Sequence, residues 1–323
     1  MKNKHLTSRK NTYRYIFGPV YSRRLGMSLG VDMVPLKTCS LDCVYCECGA
    51  TTVQTTTSKE YVPAEDILDE LDLYLSESSI KIDVITFAGS GEPCLNSKLP
   101  YIIKQIRTKY PEFKTAILTN STFLTQKEIR DSLMTVDYVL PSLDAVSQSV
   151  FEKINTPFAG LRIDKIIEGL LSFSKEYSGI LWLEVFIIPG INDTEKELKP
   201  FKKILKEIDP TRVQLNTLDR PGSCSWVKPS KVENLIRIAE YLLPLPVEII
   251  KRKINLIQQN STSNSQCIED IMKTLKRRPL TLEDISVSLG KSINETGEIM
   301  DILFNMNMIK TRRTGTKLFY SLK

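Results

Sequence analysis

Residues 83–109, Asp-Val-Ile-Thr-Phe-Ala-Gly-Ser-Gly-Glu-Pro-Cys-Leu-Asn-Ser-Lys-Leu-Pro-Tyr-Ile-Ile-Lys-Gln-Ile-Arg-Thr-Lys, decide the fold. The run 83–87 is short, apolar and β-branched, as expected of a buried strand, and 99–109 repeats its apolar residues at helical spacing. A strand, a turn and a helix make one βα unit, and the rhythm continues outward from it. Further strands are predicted at 115–119, 138–140, 181–188 and 212–215, and helices at 63–75, 125–134, 161–177 and 194–208, with Pro63 and Thr125 as good helix starters. An earlier strand near 30–34 brings the number of βα repeats to six, which predicts an α/β fold around a parallel sheet.

With 323 residues, 41% of them hydrophobic, the chain can fill one large core and a smaller second one, which excludes a disordered or fibrous protein. The longest apolar runs, such as 181–188, are far shorter than the roughly eighteen residues of a membrane-spanning helix. Lys2, Lys4, Arg9, Lys10 and Arg14 open the chain without an apolar stretch, so no secretory signal and no membrane partner are expected, and a cytoplasmic location is. The net charge of +6 suits anionic partners without identifying one.

Residues 255–266 are polar and rich in Ser and Asn, and predict a linker between a core at 1–254 and a second domain at 267–323. That second domain has helical stretches at 268–276, 282–289 and 293–307. Two strands follow at 309–313 and 317–321, turning at Gly315, so the whole resembles a winged helix-turn-helix.

Seven cysteines are an odd number, and Cys39, Cys43, Cys46 and Cys48 fall within ten residues, which argues for metal binding in a reducing compartment over a disulfide framework. The first three are spaced CxxxCxxC, a loop short enough to wrap one corner of an iron–sulfur cubane and leave one iron open. The alternative is zinc with Cys48 as fourth ligand. It lacks a second cysteine pair or histidine cluster, the sole histidine being His5, and Cys48 is then expected to stand behind the ligands or aside from them.

With Tyr45 before its last cysteine, this loop resembles the cluster loop of the radical S-adenosylmethionine (radical SAM) superfamily. Downstream, Gly89-Ser90-Gly91-Glu92-Pro93 resembles the GGEP segment with which that family holds the cofactor's methionine amino group. Ser90 stands where a glycine is usual, a departure small enough to keep the close backbone approach. The resemblance implies a partial (β/α)6 TIM-like barrel over about residues 15–250. It implies a [4Fe-4S] cluster on Cys39, Cys43 and Cys46, with S-adenosyl-L-methionine held by Tyr45 and by Gly89, Ser90, Gly91, Glu92 and Pro93.

Because functional residues of such barrels gather at the carboxyl ends of strands, Asn120, Ser142, Asp144, Pro189, Gly190 and Asn216 join the cofactor-binding candidates. By resemblance, the polar residues after the fourth strand meet the ribose and the backbone near the end of the fifth meets the adenine. Each has an ordinary alternative as a strand-to-helix cap.

Residues 17–26, Phe-Gly-Pro-Val-Tyr-Ser-Arg-Arg-Leu-Gly, with 28–32, resemble a subgroup that includes relatives of wyosine-forming tRNA enzymes. Arg23 and Arg24 are candidates to meet an anionic substrate or to form a structural pair, and Arg220 either meets substrate or pairs with Asp219. Cys94, Cys224 and Cys267 lack the spacing of a second-cluster set, so the wyosine reaction is not carried over.

The implied activity is reductive cleavage of S-adenosylmethionine to a 5′-deoxyadenosyl radical that abstracts hydrogen from substrate, as an oxidoreductase or transferase does. A low-potential donor, flavodoxin or ferredoxin, supplies the electron. The substrate stays open between RNA or tRNA, a protein or peptide, and a small molecule. The basic run 312–317 suits phosphate, whereas Glu295, Glu298 and Asp301 on the helix before it repel it. The rival is an iron–sulfur redox-sensing transcriptional regulator without catalysis, which leaves the βα repeats and the Gly91-Glu92-Pro93 turn unexplained.

Overall fold

The computed structural model describes residues 13–22, 24–78, 80–250 and 264–323, apart from the side chains of 264–267, 269 and 270. Arg23, the side chain of Cys267 and most of the expected linker lie outside the described residues. The chain enters through an antiparallel hairpin, β1 (Ile16–Ser22) and β2 (Gly26–Val31). Two short strands, β3 (Thr38–Cys39) and β4 (Val53–Gln54), bracket the cysteine loop. The alternation then runs α1 (Ala64–Glu77), β5 (Val84–Phe87), α2 (Leu99–Lys109), β6 (Lys114–Thr119), α3 (Lys127–Leu133), β7 (Tyr138–Pro141), α4 (Gln148–Asn155), α5 (Ile163–Glu176), β8 (Ile180–Phe186), α6 (Glu195–Ile208), β9 (Arg212–Asn216), α7 (Val232–Leu242) and β10 (Val247–Ile249).

The sheet order is β1-β2-β5-β6-β7-β8-β9-β10, parallel throughout from β2 onward. Among the described residues β10 does not pair back to β1, so the sheet is open. Period-two alternation sorts its side chains: Ile85 and Phe87 join the core under the helices, while Val84 meets Ala116 and Leu140 on the opposite face. The helices follow the same logic. In α2, Leu99, Ile102, Ile103 and Ile106 are buried, Pro100 sits in the first turn, and Arg107 and Lys109 complement the carboxyl-terminal dipole.

The six expected repeats are β2 and β5 to β9. Beyond them the chain adds β1, β3, β4, α4, α7 and β10, which the sequence reading did not name. The strand expected at 181–188 stops at Phe186: the Ile187 amide makes the last ladder bond, to the Asn216 carbonyl (2.7 Å), and the Ile188 amide turns away to Asn192 Oδ1 (2.8 Å). No helix among the described residues is long and apolar enough to cross a membrane.

The carboxyl-terminal part comprises α8 (Asn264–Arg277), α9 (Leu282–Leu289), α10 (Ile293–Asn305) and the hairpin β11 (Ile309–Thr314) with β12 (Lys317–Leu322). Gly315, at φ +59°, makes the turn. Ile271, Leu275, Ile285, Leu303 and Ile309 form its own small core, and capping boxes at Thr281/Asp284 and Ser292/Glu295 start α9 and α10.

One carboxylate ties the amino-terminal ends of two central strands. Asp137 pairs with Arg107 (2.7 Å) and Lys114 (2.9 Å) and accepts from the Thr115 amide (2.9 Å) and hydroxyl (3.0 Å). Burial alone would raise its pKa, but the Thr115 amide, Lys114, the Thr115 hydroxyl and Arg107 hold it below the usual carboxylate value. A depressed folded-state pKa means stability that is present above about pH 4 and is lost as pH falls through the folded value. Asp137→Asn is expected to lose about 1–2 kcal/mol at pH 7, with the gap to wild type closing below pH 4 in denaturant titrations. A gap independent of pH would contradict this assignment.

Candidate functional site

The cysteine loop leaves the end of β3 and is clamped from two sides. The end of α4 accepts the Asp42 amide at the Asn155 carbonyl (3.1 Å) and the Val44 amide at the Ile154 carbonyl (2.9 Å). Beyond β9, the Ser223 hydroxyl donates to the Cys43 carbonyl (2.9 Å) and the Cys224 amide to the Val44 carbonyl (3.0 Å). A Cβ added at Gly222 would stand 2.9 Å from the Tyr45 carbonyl oxygen, so only glycine lets that segment approach so closely. Tyr45 itself stacks on Phe186 at 3.8 Å and donates its hydroxyl to Asp144 (2.5 Å).

Each of the three sulfurs has its own N–H donor. Asn120 Nδ2 lies 3.4 Å from Cys39 Sγ, Asn155 Nδ2 3.4 Å from Cys43 Sγ, and Lys37 Nζ 3.2 Å from Cys46 Sγ. Burial pushes the Cys39 thiol up to about 12, with Glu92 adding to it. Burial also raises Cys43, aided by the charge at Cys46. Cys46 goes the other way, to about 6, because the Cys48 thiol donates to it and Lys37 stands beside it. Burial pulls Lys37 down, but Cys46 outweighs it and the net shift is upward. Lys37 and the Cys48 thiol thus favour negative charge at Cys46, while burial disfavours it at Cys39 and Cys43, where a cationic cluster would offset that cost.

These residues fit an iron–sulfur cluster: three thiol donors, each with a nitrogen donor of the kind that tunes cluster thiolates. Among the described residues no group of three or more His, Cys, Asp or Glu converges on a single ion. Cys48 points toward the Gly89 carbonyl (3.8 Å).

The Gly89–Pro93 segment, after β5, is joined directly to the cysteine loop. The Lys37 amide donates to the Ser90 carbonyl (2.7 Å) and the Glu92 amide to the Thr38 carbonyl (3.1 Å). A Cβ at Gly91 would stand far inside van der Waals contact with the Thr38 carbonyl oxygen, so this glycine is required by close approach. Glu92 is buried and accepts from the Cys94 amide (3.1 Å), the Thr119 hydroxyl (2.7 Å) and the Asn120 amide (2.7 Å). Burial raises its carboxyl pKa in spite of these donors. Glu92 therefore ties the turn to the end of β6, and so to the residue that donates to Cys39.

The remaining candidates separate. Tyr45, Asn120, Ser142 and Asp144 line one cavity of about 40 Å³, with Leu41 and Asn155 among its other walls. Asp144 is buried and accepts from Tyr45, Asn155 Nδ2 (2.8 Å) and the Phe186 amide (2.8 Å); burial pushes its carboxyl up to about 6 against those donors. Its oxygens are thus engaged by the protein. Pro189 and Gly190 form an exposed turn in which the Gly190 amide donates to Asp193 Oδ1 (2.7 Å), and Asn216 uses its side-chain oxygen on the Thr217 amide (3.0 Å). None of these three lines the cavity shared by the others.

Arg24 is paired with Glu184 and donates to Gln214 (3.3 Å). Arg220, almost fully buried, bonds Glu47 (3.0 Å) and Asp284 (3.4 Å) and also feels the charge of Asp219, which itself bonds Lys317 (2.6 Å). Sequence reasoning missed Lys37, Asn155 and Ser223. For Lys37 a signal existed, a cation two residues before the first cysteine; Asn155 and Ser223 lie 112 and 180 residues from the cysteine they serve, beyond any local pattern.

The family model for the radical SAM superfamily matches residues 33–199, just over half of the chain. A UPF0026 protein of Methanocaldococcus jannaschii is 34% identical over 310 residues, which is 94% of this chain and 94% of that protein. A Brachyspira hyodysenteriae protein named GTPase Obg is 34% identical over 323 residues, 99% of this chain, and this chain spans 47% of its length. Among solved structures, a radical SAM methyltransferase from Sphaerobacter thermophilus superposes with a TM-score of 0.55 at 16% identity, over 69% of this chain and 65% of that one, a likeness of fold.

The chain belongs to the radical SAM superfamily, and in it stands with the UPF0026 proteins. Members of the superfamily use a [4Fe-4S] cluster and S-adenosyl-L-methionine, and these are the cofactors of this chain.

Proposed function

We propose that this protein is an enzyme that reductively cleaves S-adenosylmethionine and removes hydrogen from a macromolecular substrate, with Cys39, Cys43 and Cys46 as the three cluster ligands. The pairing of each sulfur with a separate nitrogen donor carries this reading, since neutral structural cysteines have no need of three such donors. When bound, the cluster and S-adenosylmethionine together supply an electron, a broken carbon–sulfur bond and a hydrogen-abstracting radical.

The chain's own residues position and enclose. The backbone of Gly89, Ser90 and Gly91 receives the cofactor's amino group, with Glu92 and Pro93 fixing the turn. Asn120 and Ser142 face the nucleoside, and Asp144 acts by holding Tyr45 against the loop, whereas Pro189, Gly190 and Asn216 stay outside this cavity. Excluding water from this buried end protects what is formed there. Flavodoxin or ferredoxin supplies the electron.

In this reading the open sheet is a partial six-repeat barrel, the carboxyl-terminal unit is a winged helix, and Arg24 lies on the substrate side. Exposed Arg312 and Arg313 on β11 favour an RNA, and exposed Glu295, Glu298 and Asp301 on α10 favour a protein. Crosslinking in cells, with and without residues 267–323, separates the two. The cofactor assignment is tested by electron paramagnetic resonance of the reduced cluster. Added S-adenosylmethionine is expected to shift its g-values by occupying the open iron, and a spectrum indifferent to the cofactor would refute the assignment.

A further inference from the structure

The carboxyl-terminal unit sends an arginine into the wall of the cofactor site. At the end of α8, Arg277 places Nε at 3.0 Å and a terminal guanidinium nitrogen at 2.6 Å from Oδ2 of Asp32, and its guanidinium carbon lies 4.4 Å from the centre of the Phe17 ring. Asp32, which follows β2, is 7% exposed. Its other oxygen, Oδ1, accepts the Ser90 amide at 3.0 Å. Gly89 packs against the same oxygen, so closely that a Cβ there would overlap it.

An ion pair from residue 277 therefore ends, one carboxylate later, on the backbone of the Gly89–Pro93 turn. A carboxylate this enclosed keeps its charge and its orientation through its partners, and Arg277 is the cation bonded to it. Phe17, held over Gly30, fixes the guanidinium from the other side. A second seam docks the same unit elsewhere: Asp284 on α9 bonds Arg220, which also bonds Glu47 between Cys46 and Cys48, and Lys317 bonds Asp219.

We propose that Arg277 is a positioning residue for S-adenosylmethionine: through Asp32 it fixes the Ser90 amide, and the carboxyl-terminal unit is thereby part of the cofactor site as well as a docking module. This rests on the reading of the Gly89–Pro93 turn given under Proposed function. Among the described residues Arg277 makes no hydrogen bond to the cluster ligands or to the turn itself, so its removal acts on cofactor affinity and not on iron loading.

The test uses full-length, cluster-loaded protein with four substitutions: Arg277→Ala, Arg277→Gln in case the alanine variant does not fold, Arg277→Lys as the conservative rescue, and Lys317→Ala as a control that loosens docking without touching Asp32. Iron content is expected to match wild type in all four. Hydrogen exchange in the peptide 88–95 is expected to accelerate about tenfold in Arg277→Ala or Arg277→Gln. The dissociation constant for S-adenosylmethionine by equilibrium dialysis is expected to rise about tenfold to a hundredfold in the same variants.

Arg277→Lys recovers most of both effects, and Lys317→Ala changes neither. Exchange and affinity unchanged in Arg277→Ala and Arg277→Gln, or changed as much by Lys317→Ala, would overturn the proposal. If exchange depends on Arg277 while even wild type binds no S-adenosylmethionine, the relay stands and the functional reading falls. Normal cofactor binding with exchange indifferent to Arg277 gives the reverse.

Discussion

Anaerobically purified Cys43→Ala protein is expected to carry about a tenth or less of the wild-type iron and to lose the brown colour of the cluster. Cys43 sits at the centre of the clamp: its carbonyl accepts from Ser223, its neighbours are held by the end of α4, and its sulfur faces Asn155. Removing it leaves two ligands, and a cluster held by two thiolates in a protein loop is readily lost. The informative comparison is Cys48→Ala, which removes the fourth sulfur of the same ten residues. Because Cys48 points at the Gly89 carbonyl and bonds Cys46, its loss is expected to leave most of the iron in place. A Cys48→Ala protein as depleted as Cys43→Ala would mean that four sulfurs hold the metal, and would return the zinc-type centre to consideration.

Gly91→Ala is expected to weaken S-adenosylmethionine binding about tenfold to a hundredfold, equivalent to about 1.4–2.7 kcal/mol. The added methyl would collide with the Thr38 carbonyl oxygen and approach Val34 Cγ2 at 2.7 Å, both in the segment that leads from β2 into the cysteine loop. Relief requires the turn to withdraw, which breaks the Glu92 amide bond to Thr38 and strains the Lys37 amide bond to Ser90. Overpacking of this kind costs about 1–3 kcal/mol. Gly160→Ala is the control: its φ of +90° makes the substitution strained, but nothing stands within 4 Å of the new methyl, so a loss of stability without a change in cofactor affinity is expected. Equal cofactor affinity in wild type and Gly91→Ala would show that the turn does not bind the cofactor.

Much of the fold was legible because the central strands are short β-branched or apolar stretches set between amphipathic helices; Val84–Phe87, buried throughout, and Leu99–Lys109 need nothing beyond local pattern. The elements that escaped had weaker local signals. β1 carries a Gly-Pro step inside an edge strand, β10 is three residues long, and α4 spans just two turns. α7 has clear spacing at Leu235, Ile238 and Leu242 but follows the Pro- and Gly-interrupted stretch 219–230, where the βα rhythm fades.

The cysteines and the Gly89–Pro93 turn could be read because both are compact motifs whose chemistry is set by spacing. What joins them could not. Asp32 meets Ser90 across 58 residues and Arg277 across 245, and each side chain alone looks like an ordinary surface charge. Burial supplies the meaning, and burial is a property of the folded chain.

The central claim is tested most directly by incubating the anaerobically reconstituted full-length protein with dithionite and S-adenosylmethionine and measuring 5′-deoxyadenosine by chromatography. The account predicts that wild type forms it and that Cys43→Ala does not. A fully iron-loaded wild-type protein that forms none, or a Cys43→Ala variant that forms as much as wild type, would contradict it.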